Sequence, residues 1–187
     1  MSAVTNTDIV DDELVDIVDG QGKVLGQALK SQAHKDGRLH LTTIGCLRYG
    51  RDIALVRQSS DRQDAGQLVS PVGGHAKAGE TETQALLRET EEEIGTRNVT
   101  YKLLGHARFH RQVLGRNENH LFAVYEIRTD DAIMLGNEAE SLERFSEAEL
   151  KRALVDNPDE FGDALYFVLE YFYPEYLPED YSYRWNK

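Results

Sequence analysis

A mixed α/β chain, α+β in layout, with a mixed sheet flanked by helices, is the fold class predicted by three features of this sequence. Short runs of alternating or continuous apolar residues recur along it, separated by Gly, Asn and Asp turn signals. An uninterrupted helical segment, Thr81 to Ile94, lies among them, and two more helical segments follow toward the C terminus. At 187 residues the chain has the size of one domain, with enough material for a substantial core.

The elements follow in order. Residues 1–11 read as a loose tail, and residues 12–187 as one domain. Glu13 to Asp19 alternates like a strand, Gly20-Gln21-Gly22 turns, and Lys23 to Gln27 forms a second short strand. Ala28 to Asp36 reads as a short helix. Leu39 to Tyr49 and Asp52 to Gln58 form a hairpin around Tyr49-Gly50-Arg51. A polar loop, SSDRQDAGQ, leads into Leu68 to Val72. Thr81, with Gln84 three residues on, forms a capping box, and Gly95 stands where a C-terminal cap belongs. Val99 to Val113 and His120 to Arg128 are two long strands joined through LGRNEN. Ser146 begins the helix SEAELKRAL, and Asp159 to Tyr173 is a second one. The aromatic segment ALYFVLEYFYPEYL suits a core or a dimer contact better than a ligand cage. No repeat, low-complexity tract or interdomain linker interrupts the pattern.

Composition narrows the function. The net charge is -12, from 33 acidic and 21 basic residues, and no basic patch is evident, which argues against nucleic acid or a membrane surface as partner. An acidic protein that handles phosphates needs metal ions to offset repulsion. Cys46 is the single cysteine, so no intrachain disulfide forms and a reducing cytoplasmic setting is expected; its apolar neighbours in TTIGCL place it in the core. The N-terminal residues lack the pattern of a signal peptide, and no run approaches the roughly 18 apolar residues of a spanning helix.

The densest signal is residues 74–96, GHAKAGETETQALLRETEEEIGT. Gly74, Glu80, Arg88, Glu89, Glu92, Glu93 and Gly95 stand at the spacing G-x5-E-x7-R-E-x-x-E-E-x-G. On a helix, Glu89, Glu92 and Glu93 share one face, while Leu86, Thr90 and Ile94 follow a separate core-facing line. Three carboxylates on one face repel each other unless a divalent cation joins them, and hard oxygen donors suit Mg2+ or Mn2+. An acidic run alone is more often a solvated helix face; the full spacing from Gly74 to Gly95 favours a metal site.

That spacing resembles the Nudix box of hydrolases that cleave a pyrophosphate linked to a nucleoside or another organic group. The resemblance implies an α/β/α sandwich, a small-molecule diphosphate substrate and a homodimer. It also implies metal ligation by Glu89, Glu92, Glu93 and the Gly74 carbonyl, with Arg88 orienting Glu80 or Glu92. Either Glu92 or Glu93 would activate the water. The chain departs from the pattern at two positions that are usually aliphatic, Thr90 and Thr96.

Upstream, ELVDIVDGQGKVLGQALKSQAHKDGRLHLTTIGCL is similar to a Nudix branch that includes type 1 isopentenyl-diphosphate isomerase. His34, His40, His75 and Glu118 lie near positions that bind metal in the isomerase. The isomerase also needs a cysteine before its Gly-His pair, and Gly73 stands there. Without an acid or base at that position, proton transfer at two carbons has no agent, so the resemblance implies a hydrolase of the isomerase-like branch. Read from the residues alone, His34 and His40 suit hydrogen-bonding or packing roles. His75 can meet the diphosphate or a metal, and His110 or His120 is the remaining pocket histidine. Glu118 is the leading carboxylate from outside the box.

Substrate signals are thinner. Arg57, Arg62 and Gly66 in VRQSSDRQDAG match part of a coenzyme A-directed motif, so the two arginines are candidate phosphate contacts. No Pro or Trp lies between Gly95 and Asn157, so the motif for reduced dinucleotides is missing. The expected activity is a Mg2+- or Mn2+-dependent pyrophosphohydrolase acting on a small nucleoside diphosphate derivative. Isopentenyl-diphosphate isomerase activity and a non-catalytic nucleotide sensor are the alternatives.

Overall fold

The computed structural model describes residues 12–60 and 63–182. The expected tail, 1–11, and Arg62 lie outside these residues. In chain order the elements are β1 (Leu14–Val18), β2 (Val24–Leu29), α1 (Lys30–Asp36), β3 (His40–Tyr49), β4 (Asp52–Gln58), β5 (Leu68–Val69), β6 (Val72–His75) and α2 (Glu82–Ile94). They are followed by β7 (Thr100–Val113), β8 (Arg116–Arg128), β9 (Ala139–Phe145), α3 (Glu147–Asp156) and α4 (Asp163–Phe172).

Strand β3 organises the sheet. Along one edge it pairs antiparallel with β1 at His40, with β6 from Thr42 to Gly45, and with β4 from Leu47 to Tyr49. Along its other edge it runs parallel to β8, His40 opposite His120 through Arg48 opposite Arg128. Strand β7 extends the sheet beyond β8, and β4 also pairs with β5 and β9. The result is one mixed sheet between helices, the predicted class.

Side-chain alternation decides which helix each face receives. Ala123, Tyr125 and Ile127 of β8 turn toward Leu86 and Ile94 of α2, while Phe122 and Val124 turn toward Phe167 and Val168 of α4. Full burial of a side chain such as Leu86 contributes roughly 2 kcal/mol, which anchors α2 to the sheet. The two threonines that depart from the aliphatic pattern are both satisfied. Thr90 Oγ1 donates to the Leu86 carbonyl at 2.6 Å, and Thr96 Oγ1 donates to Asp131 Oδ2 at 2.6 Å.

Several elements differ from the sequence expectation: β2 runs to Leu29, so α1 starts at Lys30, and Leu68 to Val72 divides between β5 and β6. Strand β8 begins at Arg116, because β7 and β8 stay paired down to Val113 opposite Arg116. Helix α4 begins at Asp163, after a 3-10 turn at Pro158–Glu160 and Gly162 in extended conformation. Strand β9, AESLERF, was not expected; it gains its place by pairing with β4.

Cys46 packs beside the cluster under α4, and burial pushes its thiol up to about 12. Thiolate is the reactive form. The folded protein is therefore expected to resist iodoacetamide at pH 8 and to be alkylated once unfolded in denaturant, as intact mass would report. Rapid labelling of the folded protein would contradict this burial.

Candidate active site

Helix α2 fixes the spacing of the carboxylates. Thr81 Oγ1 accepts from the Gln84 N–H, Gln84 Oε1 accepts from the Thr81 N–H, and Gly95 closes the other end with φ 79°. Arg88 is the hub of the network. Its Nε and Nη2 donate to Glu80 Oε1 and Oε2, each at 2.9 Å, a bidentate pair. Nη1 donates to Glu89 Oε1 at 2.6 Å and to Glu92 Oε2 at 3.3 Å, and Nη2 also donates to the His75 carbonyl at 2.9 Å. Glu80 accepts from the Lys77 N–H at 2.8 Å as well. It does not line the cleft, and its link to the other carboxylates runs through Arg88.

Glu89, Glu92 and Glu93 all line one open cleft of about 2190 Å³, counting solvent at its mouth. Glu89 is buried, and desolvation raises its carboxyl above the usual range although Arg88 opposes the shift. Glu93 is pushed well above that range by burial, with the charges of Glu89, Glu138 and Glu92 adding to the effect. The Gly73 N–H donates to Glu93 Oε2 at 2.7 Å and fixes the carboxylate's orientation. Glu92 is the most exposed of the three.

This donor set fits a hard divalent cation. Crowded, desolvated carboxylates gain most from a dication, and the backbone leaves room for them. A Cβ on Gly74 would lie 2.0 Å from Glu89 Oε1, so the Glu89 carboxylate fills the space that any other residue at 74 would need. Gly74→Ala is accordingly expected to displace Glu89 and lower Mg2+-supported turnover about 100-fold, with the circular dichroism spectrum retained. Unaltered turnover in that variant would show that Glu89 is not needed in this position.

One more carboxylate comes from a loop that gave no sequence signal. The chain after β8 crosses the end of α2, where Gly136 N donates to the Glu93 carbonyl at 2.9 Å and a Cβ on Gly136 would meet the Glu92 carbonyl at 2.6 Å. This close passage brings Glu138 into the cleft lining beside Glu93, and Ser59 N ties the Glu138 carbonyl at 2.9 Å.

Three histidines, His34, His75 and His120, also line the cleft, and His40 packs against them. His34 of α1, His40 of β3, His75 of β6 and His120 of β8 place one ring nitrogen each within 4.8 Å of the others. His34 Nε2 lies 3.2 Å from His120 Nε2 and 3.3 Å from His75 Nε2. The strand register explains three of them, since His40 is opposite His120 and Thr42 is opposite His75. His34 is delivered by the end of α1. Gly37 caps that helix at φ 63°, packs against Asn117, and accepts from Asn119 Nδ2 at 2.7 Å through its carbonyl. Burial holds His34 down to about 4 and lowers His40, His75 and His120, so all four rings are neutral at pH 7.

Glu118 stands on this histidine side, where its charge acts on His34 and His40. Gln63 Nε2 donates to its Oε1 at 2.9 Å and Arg111 Nε to its Oε2 at 2.6 Å. Arg111 also forms a bidentate pair with Asp64, at 2.9 and 2.8 Å, which straps the loop after β4 to β7. Arg57, an expected phosphate contact, does not line the cleft. Its guanidinium is held by Glu143 of β9, the Gly66 carbonyl and Glu160. His110 pairs with Asn117 on the exposed face of β7, so His120 is the pocket histidine. Arg116 and Lys30 line the cleft and were not singled out from the sequence.

Comparison with known proteins supplies the wider setting. A family model described as the NUDIX domain matches residues 39–165. The chain is 29% identical over 175 residues to an isopentenyl-diphosphate Delta-isomerase of Photobacterium profundum, spanning 87% of this chain and 95% of that protein. It is 30% identical over 126 residues to an uncharacterised Nudix hydrolase of a Nostoc species, spanning 63% of this chain and 70% of the relative. In structure it resembles DR0079 from Deinococcus radiodurans, with a TM-score of 0.68, 24% identity, and coverage of 86% of this chain and 99% of the other.

Proposed function

Since the chain belongs to the NUDIX domain family, we propose that this pyrophosphohydrolase uses Mg2+ or Mn2+ to cleave a small nucleoside diphosphate derivative. One observation carries the metal requirement: the Glu89 carboxylate, gripped by Arg88, fills the space over Gly74 while Glu92 and Glu93 line the same cleft.

Glu89, Glu92, Glu93 and the Gly74 carbonyl would hold the ion. When bound, it would neutralise diphosphate charge and lower the pKa of a water. The chain's own groups do the rest. Arg88 keeps Glu89 and Glu92 from turning away, and Gly73 N–H orients Glu93. Glu93, with Glu138 near enough for its charge to act on it, would take a proton from the attacking water, and Glu92 is the alternative acceptor. Arg116 and Lys30 would give the cleft lining positive charge for the second phosphate. The cleft also suits a small substrate rather than a nucleic acid, given the net charge of -12.

The likeness to an isomerase over 95% of that protein's length favours a second reading. Two features oppose it. Gly73 offers no proton donor, and Cys46 does not line the cleft. The experiment is a product assay across nucleoside di- and triphosphates, sugar nucleotides, dinucleotides, coenzyme A and isopentenyl diphosphate, each with Mg2+, Mn2+ or chelator. Metal-dependent release of phosphate-bearing fragments is the expected result. Conversion of isopentenyl diphosphate to its dimethylallyl isomer would favour the second reading, and tight nucleotide binding without turnover would favour a sensor.

A further inference from the structure

We propose that β2 is a dimerisation edge, at which a second copy of this chain adds its own β2 antiparallel across a twofold axis. The strand ends the sheet, in the order β2-β1-β3, and pairs only with β1 among the described residues. Sheet edges are normally blunted by charge or proline, because their unpaired N–H and C=O groups invite another strand. Val24–Leu29, VLGQAL, carries neither. The register shift against Ile17 and Val18 falls at its first residues and leaves Gly26 to Leu29 regular. This edge is apolar as well. Leu25 is 64% exposed, Leu29 48%, and Leu14, opposite Leu29 on β1, 43%.

Alternation sorts the two faces of the β1–β2 hairpin. Ala28 turns inward with Val15 and Ile17 onto Ala33 of α1. Leu25, Gln27 and Leu29 turn outward, and Gln27 Nε2 donates to Asp16 Oδ1 at 2.9 Å. Leu14, Val24, Leu25 and Leu29 together leave roughly 350 Å² of apolar surface exposed, a patch of the size that marks association sites. Doubled by the twofold and joined by the paired backbone, the contact is on the order of 1,000 Å², where specific but weak interfaces begin. A dimer with a micromolar Kd follows.

The same residues select the register. A one-residue slip turns every side chain to the other face, so the outward faces join only when residues of like parity oppose. Gln27 on the axis, opposite its own copy, meets that condition and sets Leu25 opposite the partner's Leu29. The leucines of both copies, with Leu14 beside Leu29, then form an apolar row on each side of the axis. Moving the axis by half a residue would instead set Lys23 opposite the partner's Lys30, like charges face to face. Strand β2 runs directly into α1, whose Lys30 and His34 line the cleft. Pairing at this edge therefore braces that part of the cleft, whatever substrate it takes.

The test is sedimentation equilibrium of the full chain from roughly 1 to 200 µM, which is expected to pass from one chain mass to two. Leu25→Glu should weaken association at least about tenfold. It should leave the circular dichroism and melting temperature of dilute protein unchanged, since Leu25 is mostly in solvent. Gln27→Cys reads the register. Opposed residues of an antiparallel pair stand about 4.5–5.5 Å apart at Cα, within disulfide reach, so mild oxidation should give a covalent dimer. Ala28→Cys, one residue along and facing inward, should not, nor should the wild type with Cys46 as its one thiol. A single chain mass at every concentration would overturn the proposal, as would a dimer that survives Leu25→Glu and is not cross-linked by Gln27→Cys. A monomer whose outward β2 amides resist hydrogen exchange would show the edge covered by the chain itself and would equally overturn it.

Discussion

Glu93→Gln is expected to lower Mg2+-supported turnover at least about 100-fold, close to 2.7 kcal/mol in barrier. The substitution is nearly isosteric, and the amide oxygen can still accept from the Gly73 N–H that now meets Glu93 Oε2 at 2.7 Å. What disappears is the negative charge, and with it both a strong metal ligand and a proton acceptor. Stability should move the other way. Burial raises the folded-state pKa of Glu93, so its contribution is most favourable below the unfolded carboxyl range and is lost as pH rises through the folded value. At neutral pH the metal-free variant should therefore melt at the same temperature as the wild type or higher. Lower turnover with a large drop in melting temperature would point to a packing role instead, and near-normal turnover would remove Glu93 from the site.

Arg88→Ala is the second large effect, and it should reduce activity and stability together. The guanidinium bridges Glu80, Glu89, Glu92 and the His75 carbonyl, and its pKa is raised chiefly by the Glu80 hydrogen bonds. Removing it leaves mostly buried carboxylates without their partner. A destabilisation on the order of 3 kcal/mol follows, or roughly 6–12 °C in Tm for a chain of this length. Turnover should fall by about 100-fold or more, because Glu89 loses its orientation. Arg88→Lys keeps the charge but not the fork and should recover only part of either loss. Full recovery by Lys would mean that charge alone, without bidentate geometry, is sufficient.

These effects sit on the part of the molecule that the sequence made legible. The Thr81–Gln84 capping box, Gly95 and the carboxylate spacing are local, and a helix of known pitch turns such spacing into a surface. The histidine cluster is different. His40 and His120 are opposite each other because β3 runs parallel to β8, a pairing with no local signature, and α1 then brings His34 within 3.2 Å of His120. Read one at a time, His34 and His40 look like ordinary packing residues. Glu138 escaped notice because a loop crossing the end of α2, not a helix or strand periodicity, puts it beside Glu93. Arg57 was a candidate phosphate contact because its Glu143 partner lies on β9, a strand whose sequence alternates too weakly to be read.

The most direct measurement is the cleavage reaction run in 18O-labelled water with Mg2+, with the products weighed by mass spectrometry. The account predicts one 18O atom per cleavage, found on a phosphorus of one product, with no reaction in chelator. Bond breakage without label, or labelled cleavage that persists undiminished in chelator, would contradict a metal-dependent hydrolase.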